Sequence, residues 1–86
     1  MPQIELLGLA RRFASVDRVD CAGTTLEEIL RDLGVRCPGF ASRCPPGELL
    51  PGGLIVCVNE RRFTTELTEP IRSNDRILIL SADVGG

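Results

Sequence analysis

Thr24-Thr25-Leu26-Glu27-Glu28-Ile29-Leu30-Arg31-Asp32-Leu33-Gly34 is the stretch on which the fold turns. Leu26, Ile29, Leu30 and Leu33 fall at i, i+3, i+4 and i+7, one apolar stripe of an amphipathic helix. Two Thr-x-x-Glu frames, Thr24 to Glu27 and Thr25 to Glu28, each offer a capping box at its start. Gly34 stands where a C-cap glycine would end it. Everything on either side of this segment reads as strand, turn or loop.

On the N-terminal side, residues 3–9 (Gln-Ile-Glu-Leu-Leu-Gly-Leu) read as a strand and residues 16–21 (Val-Asp-Arg-Val-Asp-Cys) as a weaker one. The short segment between them suits a hairpin-like return. On the C-terminal side, residues 35–53 carry Cys-Pro-Gly, Cys-Pro-Pro-Gly and Pro-Gly-Gly, which continue neither a helix nor a central strand. They read as a long surface loop with room for one short helical turn. Leu54–Val58 is a continuous apolar run ending at Asn59-Glu60, where a tight turn is expected, and Arg61–Thr65 forms a short return strand. Pro70–Asp75 is a turn-rich connection with Asn74 as the candidate left-handed residue. Ile77-Leu78-Ile79-Leu80 is a second apolar run, the mark of a central strand, and Ser81 to Gly86 is a tail without periodicity. The order is β-β-α-β-β-β, an α+β arrangement with one main helix on one face of a small mixed sheet of about five strands. The whole chain, residues 1–86, makes one domain with a flexible Gly-Gly tail.

Composition removes several function classes. The chain of 86 residues has 43% hydrophobic residues, enough for one modest core, and a formal net charge of −2. That balance argues against nucleic-acid binding, which needs clustered positive charge. No apolar run is long enough to cross a membrane, and the start Met-Pro-Gln-Ile-Glu lacks a signal region, so a cytoplasmic location is expected. All 10 basic residues are arginine, and histidine is absent. Without histidine there is no Ser-His-Asp or Cys-His site, and the usual general base and metal ligand are missing. No phosphate-cradling glycine motif is present. No catalytic residue, metal site or bound cofactor is assigned. Cys21, Cys37, Cys44 and Cys57 form no Cys-x-x-Cys pair. Cys21 and Cys57 fall in apolar strands, while Cys37 and Cys44 share the loop, where they could meet. Glu27-Glu28 sits on the first helical turn, where acids favour the helix dipole.

The remaining chemical feature is Gly85-Gly86. Two residues without side chains let a chain enter a narrow slot and leave the terminal carboxylate unhindered. Two terminal glycines arise by chance in about one chain in 200, so alone they are only suggestive.

Joined to the element order, they carry a resemblance. The chain resembles the β-grasp, ubiquitin-like sulfur carriers, among them the small subunit of molybdopterin synthase and the thiamine-biosynthesis sulfur carrier. The resemblance spans the whole chain. It rests on Ile4-Glu5-Leu6-Leu7-Gly8-Leu9-Ala10-Arg11, Thr25-Leu26-Glu27-Glu28-Ile29-Leu30, Val56-Cys57-Val58-Asn59, Asn74-Asp75-Arg76-Ile77 and Val84-Gly85-Gly86. The chain departs from the family pattern in having Ala82-Asp83 where many molybdopterin-synthase subunits have prolines, Ser73-Asn74-Asp75 in place of Asp-Gly-Asp, and the proline-rich loop. What the resemblance implies is a carrier that does not itself catalyse. A ubiquitin-activating-type enzyme adenylates Gly86 with ATP, the adenylate is exchanged for a thiocarboxylate, and a sulfur-acceptor synthase takes the sulfur. Molybdopterin is the expected product. The alternatives are a ubiquitin-like modifier conjugated through Gly86, and a thiolate metal-binding domain.

Strand alternation supplies a candidate partner surface. Glu5, Leu7 and Leu9 share one face of the first strand, and Arg76, Leu78 and Leu80 one face of the last. The charged members mark these faces as wet, so Leu7, Leu9, Leu78 and Leu80 form an exposed apolar patch leading to the tail, with Val84 and Arg62 as further partner-binding candidates. The loop at 35–53 is the alternative cover for that patch.

Overall fold

A computed structural model describes residues 1–43, 54–64 and 66–81. In chain order the elements are β1 (Gln3–Leu6), α1 (Leu9–Ala14), β2 (Arg18–Asp20), α2 (Leu26–Arg36), α3 (Pro38–Arg43), β3 (Leu54–Val58), β4 (Arg62–Thr64) and β5 (Arg76–Ser81). The five strands form one mixed sheet in the order β2-β1-β5-β3-β4. β1 and β5 run parallel at its centre, and the other pairings are antiparallel. This is the α+β arrangement expected, and among the described residues two short helices accompany the main one.

α2 begins at the second of the two candidate frames. The Glu28 N–H donates to Thr25 Oγ1 (3.3 Å), and Glu28 Oε1 accepts from the Thr24 N–H (2.8 Å), one residue earlier than in a standard capping box. The first helical N–H groups find main-chain partners: Leu26 donates to the Glu69 carbonyl and Glu27 to the Leu67 carbonyl, both at 2.9 Å. The Ile71 N–H returns a bond to Thr24. The segment before β5 thus seals the helix start that would otherwise leave donors unpaired.

Gly34 does not end α2, which continues to Arg36 with Cys37 as its cap. A Cβ on Gly34 would stand 3.0 Å from that of Ala41, so the glycine lets α3 pack closely against α2. Part of the expected loop at 35–53 is therefore helix, started by Pro38 at the position where a missing N–H costs nothing. Phe40 anchors it in the core at 1% exposure. The rest of that stretch, including Cys44, lies outside the described residues.

The first strand is shorter than expected. Gly8, at φ 60°, ends it, and Leu9 to Ala14 turn into α1 instead of a hairpin return. The Asn59-Glu60 turn matches expectation: both residues have positive φ (55° and 58°), as a type I′ hairpin requires. Asn74 is not left-handed. The connection is closed instead by Asp75, whose carboxylate accepts from the Arg72 N–H (2.8 Å) and from Asn59 Nδ2 (3.0 Å). The core lies between one sheet face and the helices, with Ile4, Leu6, Val56, Val58, Ile77 and Ile79 meeting Leu26, Ile29, Leu33 and Phe40.

Candidate functional site

β5 is the central strand that leads to the C-terminal tail, and its two faces differ. Ile77 and Ile79 are buried in the core, whereas Leu78 and Leu80 are half-buried on the opposite face. Register places Glu5, Leu78, Cys57 and Phe63 in one row across β1, β5, β3 and β4, and Leu80 beside Ile55. Leu7 continues the alternation past β1, its N–H donating to the Ile79 carbonyl (2.9 Å). Among the described residues no helix covers this face, which carries an apolar strip of Leu7, Ile55, Leu78, Leu80 and Phe63. Phe63 is 68% exposed and Leu7 40%. A run of partly exposed apolar side chains across neighbouring strands, with Leu7 at one end and Phe63 at the other, is the usual mark of a protein interface. A small depression lined by Gln3, Glu5, Glu60, Arg76 and Leu78 borders it with charge of both signs.

The structure brings together Leu7, Leu78 and Leu80. It does not bring Leu9 or Arg62 to them. Leu9 lies on α1 and packs against the core, because Gly8 breaks the alternation that put it on the strip. Arg62 pairs in register with Val58, on the core side of the sheet, and forms an ion pair with Glu69. Glu69 Oε1 also accepts from Thr64 Oγ1 (3.2 Å), so Arg62 helps tie the edge strand to the segment that seals α2. Val84, Gly85 and Gly86 lie outside the described residues. Ile55, Cys57 and Phe63 were not singled out from sequence for this face. The pairing of Phe63 with Cys57 and of Cys57 with Leu78 carries the signal, and it needs the register to be known.

Electrostatics around the strip are local. Asp75 is held below the usual carboxylate range by the Arg72 N–H and then by the Asn59 amide. Asn59 in turn accepts from the Arg76 N–H through Oδ1 (2.9 Å), which extends the β3–β5 ladder by a side chain. Burial pushes the Cys21 thiol up to about 12, helped by Asp32, and burial also raises Cys37, so both are held as thiols rather than as the nucleophilic thiolate. Among the described residues no three His, Cys, Asp or Glu side chains cluster as a metal would need, and no helix is long and apolar enough to cross a membrane.

Known structures share this architecture from end to end. The chain matched in the crystal structure of the Amycolatopsis orientalis BexX/CysO complex has 24% identity and a TM-score of 0.81, with 100% of both chains covered. The solution structure of small archaeal modifier protein 1 from Methanosarcina acetivorans has 19% identity and a TM-score of 0.79, covering 99% of this chain and 95% of that one. Mycobacterium tuberculosis CysO has 24% identity and a TM-score of 0.78, covering 96% and 100%. At such identities the likeness speaks for the fold, a ubiquitin-like β-grasp. No curated protein matches the chain in sequence. The family model described as the ThiS family does match, over residues 4–86, and the chain belongs to that family.

Proposed function

We propose that this chain is a sulfur carrier, activated at the carboxylate of Gly86 and serving cofactor or metabolite biosynthesis, with molybdopterin as the expected product. The observation that carries the reading is a ThiS-family match over residues 4–86, a span that includes Gly85-Gly86, four and five residues beyond Ser81 at the end of the central strand. A carboxylate flanked only by glycine fits the narrow approach to a nucleotide. Its oxygen attacks the α-phosphate of ATP, and pyrophosphate leaves. The terminal sulfur of a persulfide then attacks the acyl carbon and AMP leaves, and a second thiol attacks the donor's sulfur in the resulting acyl disulfide, forming a disulfide with the donor and releasing the thiocarboxylate. Those steps need an adenylating enzyme of the ubiquitin-activating type and an acceptor synthase. The carrier is their cosubstrate and catalyses nothing itself, and cytoplasmic residence suits ATP-dependent activation. The strip of Leu7, Leu78, Leu80, Ile55 and Phe63 is the docking face for these partners. The CysO chain seen with BexX supports a protein partner for this fold.

The second reading is a modifier joined through Gly86 to amines of other proteins, and the likeness to small archaeal modifier protein 1 favours it. Deleting Gly86 tests activation common to both. ATP–pyrophosphate exchange with the adenylating enzyme should vanish while the thermal melt stays unchanged. Exchange that survives the deletion overturns the assignment of Gly86.

A further inference from the structure

All 10 cations of the chain are arginine. If arginine and lysine were used equally, such a set would arise about once in 1,000 chains, so it calls for a reason. Stereochemistry supplies one at only a few positions. Arg36 Nε donates to Asp32 (2.6 Å), Arg62 pairs with Glu69, and Arg31 stands 3.8 Å from Glu27. Arg11, Arg12, Arg18, Arg61, Arg72 and Arg76 are exposed, and among the described residues their side chains make no ion pair or hydrogen bond. A lysine there would keep the surface just as charged.

The difference between the two is nucleophilicity. A lysine amine ionises near pH 10.4, so a small neutral fraction exists at neutral pH and can attack an acyl group. A guanidinium stays protonated and delocalised. Topology makes that difference matter. β1 and β5 are parallel, Leu6 lies beside Ile79, and the Leu7 N–H bonds to the Ile79 carbonyl, so α1 starts where β5 ends. Arg11 and Arg12 lie on α1, four and five residues beyond Leu7. The five residues beyond Ser81 reach at most about 17 Å when extended, which brings an activated Gly86 within range of α1. A reactive end on so short a tether meets a neighbouring amine at an effective concentration of order mM.

We propose that the all-arginine cation set is a specificity feature: it denies the activated carboxylate any side-chain amine on its own surface, so that the acyl group passes to an external nucleophile. The avoided reaction is aminolysis. A lysine nitrogen would bond to the Gly86 acyl carbon, the bond to AMP or thiol would break with its electron pair, and the amine proton would pass to water. The inference rests on the proposed activation of Gly86, and its test needs no activating enzyme.

The full chain is prepared as a C-terminal alkyl thioester at Gly86 by intein cleavage. It is incubated at pH 8.5 with an excess of the same thiol, which reverses any exchange onto cysteine, and followed by intact mass and tandem mass spectrometry. Wild type should lose its thioester mainly by hydrolysis, because its one amine, that of Met1, precedes β1 at the end of the sheet away from where β5 ends, and it should form an amide when Nα-acetyl-lysine is added. Arg11→Lys and Arg12→Lys should lose it faster, through an amide to the new lysine, at a rate independent of protein concentration. At about 10 µM chain, closure within one molecule should exceed coupling between molecules by about 100-fold. Amide products forming as fast from wild type as from the variants, or no amide from either variant, overturns the proposal. Failure of ATP-dependent activation would sink the carrier reading and leave this chemical result standing, so the two fail separately.

Discussion

Leu80 and Ile79 are neighbours in sequence and belong to opposite faces of one strand. Ile79 is fully buried and Leu80 half-buried. Ile79→Glu puts a charge into the core without a partner and should cost several kcal/mol, enough to unfold a small domain. Leu80→Glu should cost only about 1 kcal/mol, because the side chain is partly exposed and the new carboxylate can reach water. On the docking face the same charge must be desolvated unpaired, so affinity for an adenylating partner should fall far more than stability. Urea denaturation and a binding titration of both variants check this, and the reverse pattern would invert the two faces. This parity was legible in the sequence from Arg76, whose charge marks the wet side of the last strand. Phe63 and Ile55 were not legible as members of the same strip, because nothing in their own segments says which residue of β5 lies opposite.

At the scale of the element, α2 shows how far local rules reach. Its stripe, its N-cap and its acidic first turn follow from sequence, and Thr25→Ala should cost about 1 kcal/mol through loss of the bond from the Glu28 N–H. A lower urea midpoint with an unchanged m-value is the expected result, and an unchanged midpoint would show that the main-chain bonds from Leu26 and Glu27 suffice. Its end departs from the expectation because Gly34 serves packing rather than capping. Gly34→Leu should lower stability by about 1–3 kcal/mol by forcing α3 away, measured by thermal melt, and a neutral outcome would contradict that close approach. The helix α1 was hidden for a different reason. Leu9 and Phe13, and Ala10 and Ala14, each stand at i and i+4, but the element is only six residues long and follows directly on a strand. In sequence it continues the extended pattern of β1, because a short helix has too few turns to establish a period.

At the scale of the molecule, stability should depend on pH at both ends. Glu28, Asp32 and Asp75 are all held below the usual carboxylate range, by N–H bonds from Thr24, Ala22 and Arg72 respectively. A carboxylate whose folded pKa is depressed stabilises the fold above its unfolded pKa, near 4, and that contribution is lost as pH falls through the lowered folded value. Cys21, raised to about 12 by burial, works at the other end. The unfolded thiol ionises near pH 8.5 while the folded one stays neutral, so stability falls as pH rises from there towards 12. Urea midpoints across the pH range should therefore form a plateau with two limbs. Asp75→Asn should soften the acid limb and Cys21→Ala the alkaline one. Limbs unchanged in both variants would assign the dependence to other groups.

The central claim concerns one atom at the end of the chain. The most direct measurement is the intact mass of the full-length protein after co-expression with an adenylating enzyme of the ubiquitin-activating type and a persulfide sulfur donor. The expected result is a species in which one oxygen is replaced by sulfur, located at Gly86 by fragmentation and absent when Gly86 is deleted. A chain recovered only as an amide adduct on other proteins, or never carrying sulfur under those conditions, would contradict it.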